Sequence, residues 1–143
     1  MKTLALVACL ILAGCETLSG FKAKSSGSYV TVELTQAENE TVARDMSWFL
    51  AGQLAYAKTT IALAPVKTEF NRALAEELAR RGFGVADGVT PPGAVSVHYA
   101  ISAMGDGVVA RMRFQGKEAS RYYTATEHGL QRGGRYSLRG AFK

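Results

Sequence analysis

The spacing of the apolar residues changes once along this chain, near Phe83, and that change constrains the fold more than any other feature. Before Phe83 they recur at intervals of three and four, as on one face of a helix: Val42, Met46, Phe49, Leu50 and Leu54. After Phe83 they alternate with small or polar residues, as in a strand with one buried face: Val95, Val97, Tyr99 and Ile101. Helices are therefore expected first and strands last.

Two helices are predicted from their start and stop signals. Thr35-Gln36-Ala37-Glu38 has the spacing of a capping box, in which the Thr35 hydroxyl and the Glu38 carboxylate each accept from a free amide. A helix is therefore predicted over residues 36–55. A second helix is predicted over residues 69–81, with Thr68 as its cap and Gly82 as its stop.

Strands are predicted around these helices. They cover residues 29–34, 59–64, 95–102, 108–114 and 119–125, with turns at residues 105–107 and 115–118. The element order β-α-β-α-β-β-β predicts an α+β fold. Specifically, we expect a two-layer sandwich in which two helices pack on a mostly antiparallel sheet.

The N-terminus has the features of an export signal that ends at a cysteine. Lys2 precedes ten uncharged residues, 3–12, about half of the ~20 that a membrane-spanning helix needs. Leu12-Ala13-Gly14-Cys15 resembles the bacterial lipobox, in which small residues admit a peptidase and the thiol accepts diacylglycerol. Cys15 is the predicted lipid attachment site. The alternative is an ordinary secretory signal or a buried N-terminal helix.

This interpretation divides the chain into three parts. Residues 1–14 are a lipoprotein signal peptide, residues 15–27 are the lipidated cysteine with a flexible Ser-, Gly- and Lys-rich tether, and residues 28–143 are a single periplasmic α+β domain. By resemblance to bacterial lipoproteins, Glu16 rather than Asp after the cysteine favours the inner leaflet of the outer membrane. Cys9 would leave with the signal peptide, so no disulfide is expected.

No residue pattern predicts an enzyme or a metal site. His98 and His128 are thirty residues apart without acidic residues at ligand spacing, and Glu76 and Glu77 point in different directions on their helix. No serine lies in a G-x-S-x-G context. Apart from the covalent lipid on Cys15, we expect no cofactor.

Charge is concentrated at the C-terminal end. Residues 111–143 carry eight Lys or Arg against two Glu, in a chain whose formal net charge is +5. Arginine and tyrosine interleave there, and the candidate partner-docking residues are Arg121, Tyr122, Tyr123, Arg132, Arg135 and Tyr136. This segment could bind a protein, an anionic lipid or a nucleic acid. Alternatively, it binds nothing and is a solvated sheet edge whose charges prevent aggregation. Export makes direct nucleic-acid contact the least favoured.

Several segments together are similar to the TrbH family of conjugal transfer lipoproteins. They are the lipobox, FLAGQLAYAKTTIALAP, FNRALAEELARRGFGV, VSVHYAIS and SRYYTA. The resemblance implies a lipid-anchored component of a mating-pair-formation, or type IV secretion, apparatus, with other secretion-channel proteins as partners. Only Cys15 maps onto a functional position of the family. The alternative function is a periplasmic lipoprotein that binds the cell wall or regulates an envelope enzyme.

Overall fold

A computed structural model of the protein describes residues 27–140 and shows an α+β fold with a curled, mixed sheet. The helices are α1, Gln36–Gln53, and α2, Glu69–Arg80, and a 3₁₀ turn covers Tyr56–Lys58. The strands are β1 Tyr29–Val30, β2 Thr60–Leu63, β3 Gly84–Asp87, β4 Val95–Met104, β5 Gly107–Phe114, β6 Lys117–Thr126, β7 Gly129–Arg132 and β8 Ser137–Arg139. The predicted signal peptide, Cys15 and all but the last residue of the tether lie outside the described residues.

The sheet has the order β3-β2-β4-β5-β6, and β6 carries both β7 and β8 on its other edge. The pairs β2–β3, β2–β4 and β1–β4 are parallel, whereas β4 to β8 form antiparallel pairs. Two-residue loops join β4 to β5 and β5 to β6. The sheet is therefore parallel at β3, β2 and β4, and it is antiparallel from β4 onward, as the sequence predicts for the C-terminal meander.

Both helices begin at the predicted residues, and they end at Gln53 and Arg80, two residues and one residue before the predicted ends. Thr35 and Glu38 form the reciprocal bonds of a capping box, and the Thr68 side chain accepts from the amide of Asn71. Gly82 has a φ of 96°, and the amide of Phe83 donates to the carbonyl of Leu78 at 3.2 Å, which is the pattern of a Schellman stop. The core lies between helices and sheet and includes Val42, Met46, Leu50, Ile61, Phe70, Leu74, Leu78, Val97, Ile101, Met112, Phe114 and Tyr123.

The class α+β is confirmed, but the predicted order of seven elements lacks β3, β7 and β8. The sheet is also mixed rather than mostly antiparallel on the β2 side, and the sandwich description is not confirmed for a sheet that curls. The predicted strand over residues 29–34 is reduced to Tyr29–Val30. Short strands such as β3 and β8 escape sequence analysis because partners far away in the sequence, rather than a local alternation, define them.

Candidate partner-binding edge and the ion cluster behind it

The six candidate docking residues come together at one edge of the sheet. Arg121, Tyr122 and Tyr123 lie in β6, Arg132 ends β7, and Arg135 and Tyr136 lie between β7 and β8. In the pairing of β6 with β7, Tyr123 lies opposite Arg132. The structure thus brings the candidate residues together on neighbouring strands, although their surroundings differ.

Strand alternation separates neighbouring residues of β6. Tyr123 is completely buried in the core beneath α1, and the side chain of Arg121, two residues before it, is only 13% exposed. Tyr122 lies between them in the sequence and points to the other face of the sheet, because successive side chains of a strand alternate. Arg121 and Tyr123 therefore face α1, whereas Tyr122 faces the opposite side of the sheet.

Arg121 and Tyr123 converge on Asp45, a buried carboxylate in the middle of α1. One Arg121 nitrogen, Nη1, donates to both Asp45 oxygens, at 2.7 and 2.6 Å, and the Tyr123 hydroxyl donates to Oδ2 at 2.5 Å. Arg132 Nε lies 3.3 Å from Oδ1. We call Asp45, Arg121, Tyr123, Arg132 and Tyr136 the Asp45 cluster. A carboxylate in this position needs such partners, since an isolated buried charge is costly.

Tyr136 closes the Asp45 cluster from the side of the β7–β8 connection. Its ring lies 4.3 Å from that of Phe49, the Arg121 guanidinium lies 4.4 Å from its ring centroid, and its hydroxyl is 3.3 Å from that of Tyr123. A cation over an aromatic face is attracted to the electrons of the ring. These contacts hold the arginine- and glycine-rich connection against α1.

The pKa values of Arg121, Tyr123 and Tyr136 are all raised within the cluster. Burial alone would lower the pKa of Arg121, but the hydrogen bond and charge of Asp45 outweigh it and raise that pKa. Burial, together with the neighbouring hydroxyl and the carboxylate, raises the pKa of Tyr123 well above its usual range. Burial also raises the pKa of Tyr136. The arginine therefore stays charged and both phenols stay protonated across physiological pH.

Tyr122 covers two glycines on the opposite face of the sheet. A Cβ on Gly107 would lie 2.5 Å from the Tyr122 hydroxyl, and one on Gly133 would lie 2.9 Å from Cδ1 of the ring. The hydroxyl donates to Asp106 at 2.5 Å, and this bond raises the pKa of Tyr122. The Gly133 amide donates to the Tyr122 carbonyl at 2.8 Å. Tyr122 therefore connects the β4–β5 turn to the β7–β8 connection.

The outer part of this edge is open to solvent. The Arg132 side chain is 60% exposed, Arg135 is exposed, and all three residues of β8 are exposed, with Leu138 at 43%. Within residues 27–140 no strand pairs with the outer edges of β7 and β8. We call Arg132, Arg135 and β8 the C-terminal edge. Docking of a partner there stays a prediction.

Asp45 is the residue that sequence reasoning missed. It lies three residues after Val42 and four before Phe49, and so occupies the apolar face of α1 itself. An acidic residue within an apolar helix face signals a buried charge with partners elsewhere in the chain. That signal was present, but it does not identify the partners.

Residues 27–140 contain neither a metal-binding cluster nor a membrane-spanning helix. Within that range no three His, Cys, Asp or Glu side chains lie together as a metal site would require. No helix in the same range is long and apolar enough to cross a bilayer. His98 and His128 lie in different parts of the sheet, at β4 and after β6.

Comparison with known proteins gives a match to a protein family. A family model described as conjugal transfer protein TrbH matches residues 21–140. Neither a curated protein nor a solved structure matches the chain. The match includes both helices, all eight strands and the Asp45 cluster.

Proposed function

Because this chain belongs to the TrbH family of conjugal transfer proteins, we propose that it is a lipid-anchored structural subunit of the conjugative secretion apparatus. It acts by placement rather than by catalysis, on the periplasmic face of the outer membrane. The observation that carries the proposal is the family match, which covers more than half of the chain. The lipobox and the exposed C-terminal edge supply the two attachments that such a subunit needs.

The first attachment is the lipid on Cys15. A single acyl chain binds a bilayer only reversibly, at about 10⁴ M⁻¹, whereas two or more give stable anchoring. Anchoring confines the domain to the membrane plane and raises its effective concentration beside channel proteins. Modest protein contacts then suffice for assembly.

The second attachment is the C-terminal edge. Within residues 27–140 no strand pairs with the outer edges of β7 and β8, and a strand of a partner can join such an edge by hydrogen bonds. Arg132 and Arg135 add exposed cations, and Leu138 adds an exposed apolar contact. The Asp45 cluster holds this edge in place from behind. Secretion-channel proteins with an acidic or strand-forming surface are the partners that this edge fits.

The anchor is tested by Cys15→Ser, with Cys9→Ser as the matched control. We expect Cys15→Ser to fold, to lose its stable anchoring in the membrane and to abolish plasmid transfer, since the thiol is the acyl acceptor. Cys9→Ser changes the other cysteine in the same N-terminal segment and should leave acylation and transfer intact. Wild-type transfer by Cys15→Ser, or an unmodified Cys15 thiol in native protein by mass spectrometry, would refute the anchor.

The edge is tested by a photo-crosslinking residue at Arg135 or Leu138 in solubilised membranes, with Val89 as control. Val89 is 75% exposed and precedes β4, away from the C-terminal edge. We expect adducts with secretion-channel proteins from Arg135 and Leu138 but not from Val89. Equal adducts from all three positions would contradict docking at this edge, and adducts with peptidoglycan or a wall enzyme would support the alternative function.

A further inference from the structure

Two aromatic side chains lie exposed around the C-terminal end of α2. Trp48 is 62% exposed and Tyr56 is 51% exposed. The Arg81 guanidinium lies 4.6 Å from the centre of the Trp48 ring, and Tyr56 Cδ2 lies 3.4 Å from the position of a Cβ on Gly82. Because Arg81 and Gly82 are consecutive, both rings lie beside the C-terminal end of α2.

We infer that this region is a second membrane contact, which binds the surface of an anionic bilayer beside the lipid anchor. Tryptophan and tyrosine rings are amphipathic and settle at the level of lipid headgroups. Lysine and arginine beside them are attracted to anionic lipids. We call Trp48, Tyr56, Lys58, Arg80 and Arg81 the aromatic–arginine patch.

The patch is built into the domain rather than formed by loose side chains. Arg81 Nε donates to the Ser47 hydroxyl at 2.7 Å, and Ser47 is completely buried in α1. The Tyr56 ring meets that of buried Phe83 edge-on, with centroids 6.3 Å apart. Each exposed ring therefore has a fixed contact on its inner side, which reduces the entropy lost on binding a surface.

The charge around the patch suits an anionic surface. The cations are Arg44, Lys58, Arg80 and Arg81, and the nearby carboxylates are Glu76 and Glu77. The Glu77 side chain is only 8% exposed and accepts from Arg80 at 2.7 Å, so it is directed into the protein. Positive charge consequently dominates the solvent side of the patch. The same charge makes a basic protein surface a poor partner.

The direction of the chain places the patch and Gly27, the first described residue, at one end of the sheet. β1 runs parallel to β4, with Tyr29 opposite Ala100, so Gly27 and Ser28 approach from the end where β4 starts. β2 starts at that same end, with Ile61 opposite Val95, directly after the turn that holds Tyr56. The twelve residues from Glu16 to Gly27 span at most ~43 Å. That the anchored domain turns the patch toward the membrane depends on the proposed lipid at Cys15. Lipid binding by the patch itself does not depend on that lipid.

The mature chain carrying Cys15→Ser separates the patch from the anchor, because it has no acyl chain. Trp48 is the only tryptophan of the protein, so its fluorescence reports on the patch alone. With vesicles of equal parts phosphatidylglycerol and phosphatidylethanolamine we expect a blue shift and quenching by brominated acyl chains. Vesicles of phosphatidylcholine alone should produce much less of either effect.

Variants in the same background identify the residues that bind. Lys58→Gln should weaken partitioning about fivefold, since each juxtamembrane cation contributes about that factor, and Tyr56→Ala should reduce the blue shift. Met104→Ser is the control, because Met104 is 57% exposed at the opposite end of β4 and its change should have no effect. Circular dichroism checks that each variant is folded.

An unshifted Trp48 spectrum with anionic vesicles would overturn the inference, as would equal binding to phosphatidylcholine. An equal loss in Met104→Ser and Tyr56→Ala would also overturn it, since the contact would then be nonspecific. A Trp48 shift caused only by secretion-channel proteins would make the patch a protein-binding site instead. None of these outcomes bears on Cys15, whose acylation is tested separately by mass spectrometry of the native protein.

Discussion

The hydroxyl of Tyr123 donates a hydrogen bond to Oδ2 of Asp45 at 2.5 Å, although 78 residues separate them in the sequence. Asp45 lies in the middle of α1 and Tyr123 in β6, so this bond joins the first helix to the strand that carries β7 and β8. The Asp45 carboxylate therefore fixes α1 to the strand on which the C-terminal edge is built. A substitution at Asp45 should therefore alter the position of the C-terminal edge.

Asp45→Asn should lower the free energy of unfolding by about 3–5 kcal/mol, because it leaves Arg121 buried without its counter-charge. Urea unfolding of the soluble Cys15→Ser background measures this difference. Glu127→Gln removes the same charge from a side chain that is 86% exposed and should change stability by less than about 1 kcal/mol. Equal effects of the two changes would contradict a role for the buried ion pair.

Stability should fall as the pH rises above about 10, the ordinary pKa of tyrosine. The pKa values of Tyr123 and Tyr136 are raised by burial, so the folded protein keeps protons that the unfolded chain has lost. The free energy of unfolding then decreases by up to about 1.4 kcal/mol per pH unit for each of the two tyrosines. Urea titrations between pH 8 and 12 measure the slope.

Tyr123→Phe separates this effect from general alkaline damage. It removes one of the phenols whose pKa is raised in the folded protein, so its slope above pH 10 should be shallower, even though its stability at pH 8 is also lower. Tyr29→Phe is the matched control, since Tyr29 is 39% exposed and its change should leave the slope as it was. If the stability of Tyr123→Phe fell as steeply with pH as that of the parent, buried tyrosines would not be the cause of the loss of stability at alkaline pH.

Local signals explain the parts of the fold that the sequence predicts. The capping box at Thr35 and the glycine stop at Gly82 depend on residues within one or two helical turns, and both occur as expected. β2 shows the limit of such signals. It was predicted as a strand, but its place between β3 and β4 is set by parallel pairing with residues more than twenty positions away. No local pattern carries that information.

The candidate site shows the same division between local and distant information. Interleaved arginine and tyrosine indicated candidate docking residues, and pairing of β6 with β7 brings Tyr123 beside Arg132. Which of them are buried depends on the face that β6 turns to α1, and hence on the register of the whole sheet. Arg121 and Tyr123 turn inward, whereas Arg135 stays exposed. The prediction of docking applies best to the exposed members.

Gly82→Ala and Gly52→Ala should shift stability in opposite directions. Gly82 has a φ of 96°, so alanine there is strained by about 1–2 kcal/mol and also approaches the Tyr56 ring. Gly52 lies in the last turn of α1 with open space around it, so alanine should stabilise the helix by about 0.5–1 kcal/mol. Thermal melts of both variants compare the two effects. Destabilisation by Gly52→Ala would contradict this account of α1.

Gly107→Ala tests how closely β5 approaches β6. An added Cβ would collide with the carbonyl oxygen of Tyr123 and would lie 2.5 Å from the hydroxyl of Tyr122. The first obstacle is backbone and cannot move without breaking the pairing of the two strands. We therefore expect a loss of at least about 3 kcal/mol, at the upper end of single substitutions.

The double variant Gly107→Ala/Tyr122→Ala distinguishes the two obstacles. Removing the Tyr122 ring relieves only the side-chain collision, so most of the destabilisation should remain, and the two changes should not rescue each other in a double-mutant cycle. Gly140→Ala, which has open space around its Cβ position, controls for the loss of a glycine. Full recovery in the double variant would mean that the ring, and not the Tyr123 carbonyl, requires glycine at this position. The Tyr122 ring, which covers the β4–β5 turn, would then set the distance between β5 and β6. The position of β6 would depend on Tyr122 on one face of the sheet and on Arg121 and Tyr123 on the other.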